Sequence, residues 1–405
     1  MKPSFIVIVF LLLLSCRLEA QPALLKEKLL HSVKEYQEQG LIDFSPASIL
    51  NVNPVLSATD TSWRSSGYFQ LAIRTAYSLS IGSSSEPWFV FESISTELEK
   101  SVLLRISLAL EKVSTPNELQ HFFDYYRFPR SAKCKSLLNL LLVKQKEYQK
   151  HSSVLLADTI SWLQQAYQVY RWIDHWEFAR YILVNVTAAE VQLIEGENIL
   201  HSMRAIVGKP LTPTPFIAAW ADRVVLYPYW FVPTSIAIQE FLPKIIKDTS
   251  WLDQQNMQVI DKAGKIVDHK ILPWSQFSTT NFPYTIRQST GCDNTLGILK
   301  LNVKTPLGVY LHDTNNKDYF SLSKRFLSHG CIRLEEPLVL GNYLLDNKLD
   351  TIYLQSCMKN QQPVYHTLNT PAPVLVIYTL VQPRVEGGVQ YRKDIYQLFS
   401  KRGKG

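Results

Sequence analysis

The chain has 405 residues, of which 46% are hydrophobic, 19% charged and 12% aromatic. This composition is typical of a globular protein and excludes an intrinsically disordered chain, and 15 glycines without a repeating period exclude a collagen-like one. The length allows two or three domains of about 150 residues each. The net charge of +7 is a small excess whose densest block is Lys401, Arg402 and Lys404, so nucleic-acid binding is not expected.

The N-terminus has the pattern of an export signal. Lys2 precedes an apolar run over residues 5–14, too short for a bilayer core, which needs about 20 residues. Residues 1–20 are therefore predicted to be a signal peptide cleaved after Ala20. A second interpretation is a lipoprotein signal that ends before Cys16, which would make Cys16 a lipid anchor. Either interpretation predicts a location in the periplasm or cell envelope.

Cysteine usage is informative in that compartment, where thiols normally pair as disulfides. The five cysteines are Cys16, Cys134, Cys292, Cys331 and Cys357. No pair has the CxxC spacing, so a zinc ribbon is not indicated. A cysteine that stays free outside the cytoplasm needs a chemical reason.

Residues 21–178 have the apolar spacing of packed helices. The pattern is clear from Leu24 to Val33 and over residues 97–113. Further helices are predicted over residues 117–126, 137–148 and 154–172. Aromatic residues in and after the last helix are interpreted as core or interface anchors, with a sugar-binding platform as the alternative; they are Trp162, Tyr167, Trp172 and Trp176.

The pattern changes to that of strands near Arg180. Strands are predicted at residues 181–186, 190–194, 199–207, 223–227, 308–312, 351–354 and 374–380. The second and third are separated by a turn at Glu195 and Gly196. A helix is predicted over residues 336–346. The irregular stretch of about 231–280 is predicted to be a lid inserted into the second domain.

These elements predict an α+β fold, with a helical scaffold followed by a mainly β domain. The predicted boundaries are residues 21–178 for the helical scaffold and 179–357 for the second domain. Residues 358–405 are predicted to be a C-terminal extension that packs on the second domain.

One short segment carries residues suited to nucleophilic chemistry. Cys331 follows Gly330, whose conformational freedom allows a sharp turn that presents the thiol. A thiol with a pKa of about 8.5 is mostly protonated at neutral pH, and an imidazole from His312 or His329 could deprotonate it. The backbone amides at the turn could stabilise an oxyanion. Two alternatives stay open from these residues alone: a buried structural thiol, or a metal site of Cys331, His329 and His312.

The sequence Ser-His-Gly-Cys-Ile-Arg at residues 328–333, preceded by Tyr-Leu-His-Asp-Thr at 310–314, resembles the catalytic motif of L,D-transpeptidases with a YkuD-type domain. The resemblance extends over about residues 178–396 and is greatest to the large periplasmic, YcbB-like branch. The further matching segments are residues 207–215, 227–233, 242–244, 281–288, 296–297, 373–378 and 394–396.

The resemblance implies roles for individual residues. Cys331 would be the nucleophile and His312 the general base, with the backbone carbonyl of Asp313 orienting the imidazole. Gly330 and Cys331 would supply oxyanion-hole amides. Residues implied to support the loop or to contact substrate are His329, Ser328, Tyr310, Arg333, Trp230 and Tyr229. For Arg333, an ion pair with Glu335 or Glu336 is the structural alternative.

The implied reaction is ping-pong acyl transfer between two peptidoglycan stem peptides. The Cys331 thiolate attacks the third residue of a donor tetrapeptide, D-alanine leaves, and the amine of an acceptor stem resolves the thioester to a 3→3 cross-link. The reaction needs neither a metal nor a cofactor, and carbapenem β-lactams are expected to acylate the thiol. Two other interpretations are an L,D-carboxypeptidase or hydrolase on the same fold, and a non-catalytic wall-binding protein of the envelope.

Two departures from the family pattern stand out. The N-terminal half lacks the repeated Asp-Gly, Phe-Gly and Phe-Gln spacing of the small peptidoglycan-binding module that the branch usually carries. Cys292 stands where relatives tend to have proline. It could pair with Cys134 or Cys357, or stay free.

Overall fold

The computed structural model describes residues 5–38, 41–42, 63, 67–81, 89–356, 361–384 and 387–399. The chain divides into two compact units. The first comprises residues 1–178 and 379–393, and the second comprises residues 179–378 and 394–405. Within the described ranges, we find no helix with the length and apolar character needed to span a membrane.

The first unit is helical, as the apolar spacing predicts. Its helices are α1 (Phe5–Glu38), α2 (Gly67–Ile81), α3 (Ile94–Leu110), α4 (Pro116–Arg127), α5 (Ala132–Lys150) and α6 (Val154–Trp176), with the short strand β1 (Phe91–Glu92). Helix α4 begins with a capping box in which Thr115 and Glu118 satisfy each other's backbone amides. A hairpin of Val381–Pro383 and Val389–Tyr391 belongs to the same unit.

The aromatic residues of α6 serve packing. Tyr167, Trp172 and Trp176 are buried, and the rings of Trp172 and Trp176 meet edge to face with centroids 5.8 Å apart. Trp162 is half-buried. The core interpretation of this stripe is therefore confirmed for the three buried residues.

The second unit is built on a β-sheet that closes on itself. Its strands are β2 (Arg180–Asn185), β3 (Glu190–Glu195), β4 (Asn198–Gly208), β5 (Ile217–Leu226), β10 (Leu299–Val303), β11 (Leu311–His312), β12 (Phe326–Ser328), β13 (Ile332–Leu334) and β14 (Val364–Ile377). They are ordered β5-β10-β11-β13-β4-β3-β2-β14, and β14 pairs again with β5. Strand β12 pairs with β4.

The predicted hairpin at Glu195 and Gly196 is present. Strands β3 and β4 pair antiparallel around it, and Gly196 has a φ of +57°, the left-handed conformation that glycine adopts without steric cost. Inward-facing side chains on both strands are fully buried, among them Val191 and Ile206.

The lid segment, residues 231–280, is more ordered than its sequence suggests. It contains α7 (Thr234–Ile236), the π-helix Ala237–Phe241, α8 (Leu242–Lys247) and α9 (Trp251–Gln254). A small four-stranded sheet has the strand order β6 (Trp230–Phe231), β9 (Thr285–Gln288), β7 (Met257–Ile260) and β8 (Ile266–Val267). Trp230, Phe241 and Trp274 belong to a separate hydrophobic cluster beneath these elements. The segment therefore packs around a hydrophobic cluster that it shares with the flanking residues Trp230, Ile286 and Leu296.

Two segments differ from the sequence predictions. Residues 351–354, predicted as a strand, lie in helix α11 (Thr351–Gln355), because the Asp350 side chain caps it by accepting from the Tyr353 amide. Helix α10 (Pro337–Leu344) precedes it and lies within the predicted helix at 336–346. Residues 358–405 were predicted as an extension, but β14 is a strand of the main sheet and residues 379–393 belong to the helical unit.

Candidate active site

Cys331 lies at a sharp turn between β12 and β13. Gly330 has a φ of +118°, a conformation that residues with a Cβ rarely adopt. The Cys331 thiol is free and half-buried, and its Sγ lies 3.8 Å from the Gly308 carbonyl oxygen. The turn thus presents an unpaired thiol.

Ser328 fixes the backbone of this turn. Its Oγ donates to the Cys331 carbonyl at 2.6 Å and accepts from the Gly330 amide at 3.1 Å. The Gly330 amide is therefore already hydrogen-bonded in this structure, and its role in an oxyanion hole stays a prediction. No hydrogen bond from the Cys331 amide occurs among the described residues, which leaves that amide as a donor.

A second group of residues, not predicted from sequence, holds the same turn from the other side. Thr214 Oγ1 donates to the Gly330 carbonyl at 2.9 Å and accepts from the Gly208 amide at 2.8 Å. The Tyr396 hydroxyl donates to the Gly208 carbonyl at 2.6 Å. A Cβ at Gly208 would overlap the backbone around Thr214. The segments at 207–215 and 394–396 matched the family pattern, which was the available signal, but the pattern assigned them no role.

His312 is buried at the end of β11. Its Nδ1 lies against the backbone carbonyl of Asp313. Because a carbonyl only accepts, Nδ1 must carry the proton, which leaves the lone pair on Nε2. Burial, with the positive charges of Arg333 and Lys300, lowers the pKa of His312 to about 3. The imidazole is therefore neutral at physiological pH and can accept a proton.

The Asp313 side chain anchors the same strand. Its carboxylate accepts from the amides of Ile298 at 2.9 Å and Thr314 at 2.7 Å, and it pairs with Lys317. A Cβ at Gly297 would overlap this carboxylate. These contacts hold the backbone whose carbonyl orients His312.

Tyr310 lies next to the thiol. Its hydroxyl interacts with Cys331 and with the Trp230 indole, and its ring centroid is 5.5 Å from that of His312. Burial raises the pKa of Tyr310, so its hydroxyl stays protonated and can donate. Trp230 belongs to the same hydrophobic cluster as Phe241 and Trp274 of the lid segment, and its contact with Tyr310 connects that cluster to the thiol.

Three neighbouring strands place His312 between two cations, one on each side. In the strand registers, Lys300 of β10 is opposite His312, and His312 is opposite Arg333 of β13. Lys300 Nζ lies 4.0 Å from the centroid of the Tyr310 ring. Sequence reasoning missed Lys300, because nothing in a strand lysine indicates its neighbours.

Arg333 does not pair with the acidic residues that follow it. Glu335 instead forms an ion pair with Arg204, and Glu336 contacts His201 at 3.3 Å. Arg333 Nε is buried and has no hydrogen-bond partner among the described residues. The structural alternative for Arg333, an ion pair with Glu335 or Glu336, is therefore wrong.

The surroundings of the Cys331 thiol have opposing effects on its ionisation. Burial raises its pKa, while hydrogen bonds from Tyr310 and the charges of Lys300 and Arg333 lower it, and burial has the larger effect. The thiol is thus mostly protonated at neutral pH, and its activation requires a base.

Two predicted site residues have other contacts. His329 Nε2 lies 2.8 Å from Glu240 Oε1 on the π-helix of the lid. Tyr229 stacks under Arg287, whose guanidinium is 4.0 Å from the ring centroid, and its hydroxyl contacts Gln362 at 3.4 Å. The structure therefore groups Cys331, His312, Asp313 and Tyr310 with Ser328, Gly330, Arg333 and Trp230.

The remaining cysteines and the metal alternative are also clarified. Cys292 is disulfide-bonded, whereas Cys134 is free and buried, so these two do not pair. Cys357 lies outside the described residues. In the described parts of the chain, no three His, Cys, Asp or Glu side chains are grouped to hold a metal ion.

Part of this chain is similar to known proteins. Residues 179–354 match the family model described as the YkuD, L,D-transpeptidase catalytic domain. A curated protein of Haemophilus influenzae, named "Putative L,D-transpeptidase", is 32% identical over 169 residues, which are 42% of this chain. The chain covers 34% of the length of that relative.

Part of this chain is also similar to solved structures. An L,D-transpeptidase from Mycobacterium smegmatis is 18% identical over 49% of this chain and 58% of its own, with a TM-score of 0.22. L,D-transpeptidase 3 from Mycobacterium tuberculosis, in complex with a faropenem-derived adduct, is 14% identical over 49% and 60%, with a TM-score of 0.25. On the family match, residues 179–354 of this chain are a YkuD-type L,D-transpeptidase catalytic domain.

Proposed function

We propose that this protein is a peptidoglycan L,D-transpeptidase that forms 3→3 cross-links through a Cys331 thioester. One observation carries the proposal. The free thiol of Cys331 lies at the turn before β13, and β13 pairs with β11, which carries His312. The buried, neutral imidazole of His312 has its Nδ1 against the Asp313 carbonyl. Both residues lie in a domain that matches this family.

In the first half-reaction, His312 accepts the Cys331 proton at Nε2, and the thiolate attacks the carbonyl carbon of the third residue of a donor tetrapeptide. The bond to the terminal D-alanine breaks, and its nitrogen takes the proton from His312. No hydrogen bond joins Cys331 and His312 in this structure. The proposal therefore requires the two groups to approach when the donor binds, and catalytic hydrogen bonds commonly tighten in substrate complexes.

In the second half-reaction, the side-chain amine of an acceptor stem attacks the thioester. His312 accepts a proton from this amine and returns it to the departing sulfur. The new amide bond is the 3→3 cross-link, and the free thiol is regenerated. Each proton and electron pair is accounted for by the two peptides and the two residues.

The oxyanion formed in each half-reaction needs hydrogen-bond donors. The Cys331 amide and the Tyr310 hydroxyl are the donors that the site offers, since the Gly330 amide is bonded to Ser328. Trp230 contacts the Tyr310 hydroxyl and would hold its orientation.

We also propose export to the periplasm or envelope through residues 1–20, with a lipid anchor if Cys16 is the processed residue. Both follow from the sequence pattern of the N-terminus.

The test is intact-protein mass spectrometry after incubation with a purified disaccharide-tetrapeptide, with and without a carbapenem. With the wild-type protein we expect a 3→3 dimer as the reaction product and, in the presence of the carbapenem, an adduct on the protein. With Cys331→Ala we expect neither. A tripeptide product without dimer would replace this proposal with the carboxypeptidase or hydrolase. Absence of both product and adduct from the wild type would favour the non-catalytic wall-binding protein.

A further inference from the structure

Lys300 and Arg333 are two half-buried cations that lack a carboxylate partner. Neither forms an ion pair with an acidic side chain in the described parts of the chain, whereas the nearby Lys304 pairs with Asp222 at 3.9 Å and Lys317 pairs with Asp313. Both residues are partly withdrawn from water, and this burial lowers the pKa of each side chain. Cations removed from water without a counter-ion are destabilising, so their presence on either side of His312 needs an explanation.

The strand register explains how these two residues act together. Lys300, His312 and Arg333 are directly opposite one another on β10, β11 and β13, so cross-strand neighbours on one face lie about 5 Å apart at Cβ. Lys300 also reaches the ring of Tyr310, whose hydroxyl contacts the Cys331 thiol. Two positive groups thus border the nucleophile, with the imidazole of His312 between them in the strand register.

We propose that Lys300 and Arg333 form a carboxylate subsite that binds the free C-terminal carboxylate of the donor peptide. This inference rests on the proposed function, because it assumes that a peptide is acylated at Cys331. The terminal residue is the leaving group, so its carboxylate lies within a few bonds of the carbonyl that Cys331 attacks. A subsite bordering the thiol fits that carboxylate better than one further along the peptide.

The subsite would also couple donor binding to proton transfer. The charges of Arg333 and Lys300 oppose protonation of His312 in the free enzyme. A bound carboxylate offsets these charges and makes the imidazole a better proton acceptor at the moment when the thiol must be deprotonated. A peptide without the terminal carboxylate would lose both the binding contact and this effect.

The test compares a donor tetrapeptide as the free acid with the same peptide as a C-terminal amide. Binding is measured by calorimetry to Cys331→Ala, which cannot be acylated, and turnover is measured with the intact nucleophile. We expect the acid to bind at least about 10-fold more tightly than the amide, since hydrogen bonds to charged groups are stronger than those between neutral groups. Adding Lys300→Met should weaken that preference, because Arg333 alone remains in the subsite, and Lys300→Arg should restore part of it.

Lys304→Met is the matched control. Lys304 directly follows the end of β10, and it already pairs with Asp222. This variant should keep the preference for the acid. Equal affinity of Cys331→Ala for acid and amide, or an equal loss for both ligands in Lys300→Met, would overturn the subsite. If the wild type turns over neither donor while the binding preference and its loss are observed, the proposed transpeptidation fails and the subsite stands.

Discussion

The imidazole of His312 is held by the residue that follows it, since its Nδ1 lies against the backbone carbonyl of Asp313. The Asp313 side chain is in turn bonded to two backbone amides and to Lys317. The tautomer of His312 is therefore set by a segment that is itself rigid, and Nε2 is left to accept a proton.

This arrangement predicts different effects for the two candidate histidines. His312→Ala should lower the rate of D-alanine release by about 10²–10⁴-fold, the usual contribution of a positioned base. His329→Ala should cost less than about 10-fold, because its contact with Glu240 is more than a third exposed on both sides and exposed contacts of this kind contribute about 0–1 kcal/mol. Single-turnover mass spectrometry measures both. The reverse order of effects would move the base role to His329.

Tyr310→Phe tests the proposed oxyanion hole. Removal of a single donor of this kind costs about 10²–10³-fold in rate, and we expect that loss in thioester formation with little change in donor affinity. Tyr353→Phe is the control, because Tyr353 is exposed and contacts Gln361 at 3.4 Å instead of the thiol. A Tyr310→Phe enzyme with full activity would leave the Cys331 amide as the sole proposed donor.

Sequence reasoning identified the residues that chemistry constrains locally. Cys331 after Gly330, His312, and the hairpin at Gly196 follow from motif spacing and from the conformational freedom of glycine. Lys300 and Thr214 could not be found in the same way, because their importance comes from cross-strand register and from a hydrogen bond spanning 116 residues of sequence. Residues 351–354 were misassigned because a single cap, Asp350, outweighed their strand propensity.

The ionisation of Cys331 should respond to Lys300. Because the positive charge favours the thiolate, Lys300→Met should raise the pKa of Cys331 further and slow iodoacetamide alkylation near pH 8 by about 2- to 10-fold, as expected for one nearby charge in a partly solvated site. Peptide mapping after alkylation separates the signal of Cys331 from those of the other cysteines, of which Cys134 is buried and Cys292 is disulfide-bonded. Lys304→Met should leave the alkylation profile unchanged. A faster reaction in Lys300→Met would show that Lys300 restricts access of the reagent to the thiol more than its charge favours the thiolate.

Thr214 should be needed for the position of the catalytic turn. Thr214→Val keeps the shape of the side chain but leaves the Gly208 amide without its acceptor and the Gly330 carbonyl without its donor. We expect about 1–3 kcal/mol of lost stability in urea unfolding, the cost of unsatisfied buried groups, together with slower alkylation and acylation of Cys331. Thr305→Val is the control, because it removes a side-chain hydroxyl that accepts a hydrogen bond from the Leu307 amide in an exposed turn. Equal effects of the two substitutions would remove Thr214 from the site.

The low pKa of His312 predicts a loss of stability in acid. The unfolded chain binds a proton on this histidine near pH 6.5, whereas the folded protein resists it until about pH 3. Its contribution to folding is therefore complete above pH 6.5 and decreases as the pH falls through that window. Burial lowers the pKa of His175 in the helical unit to about 3, which acts in the same direction. His312→Asn should make the unfolding free energy less dependent on pH between 6.5 and 3, while His151→Asn, at an exposed position, should follow the wild type. Parallel curves for wild type and His312→Asn would mean that His312 is protonated in the folded protein at a higher pH than its burial implies.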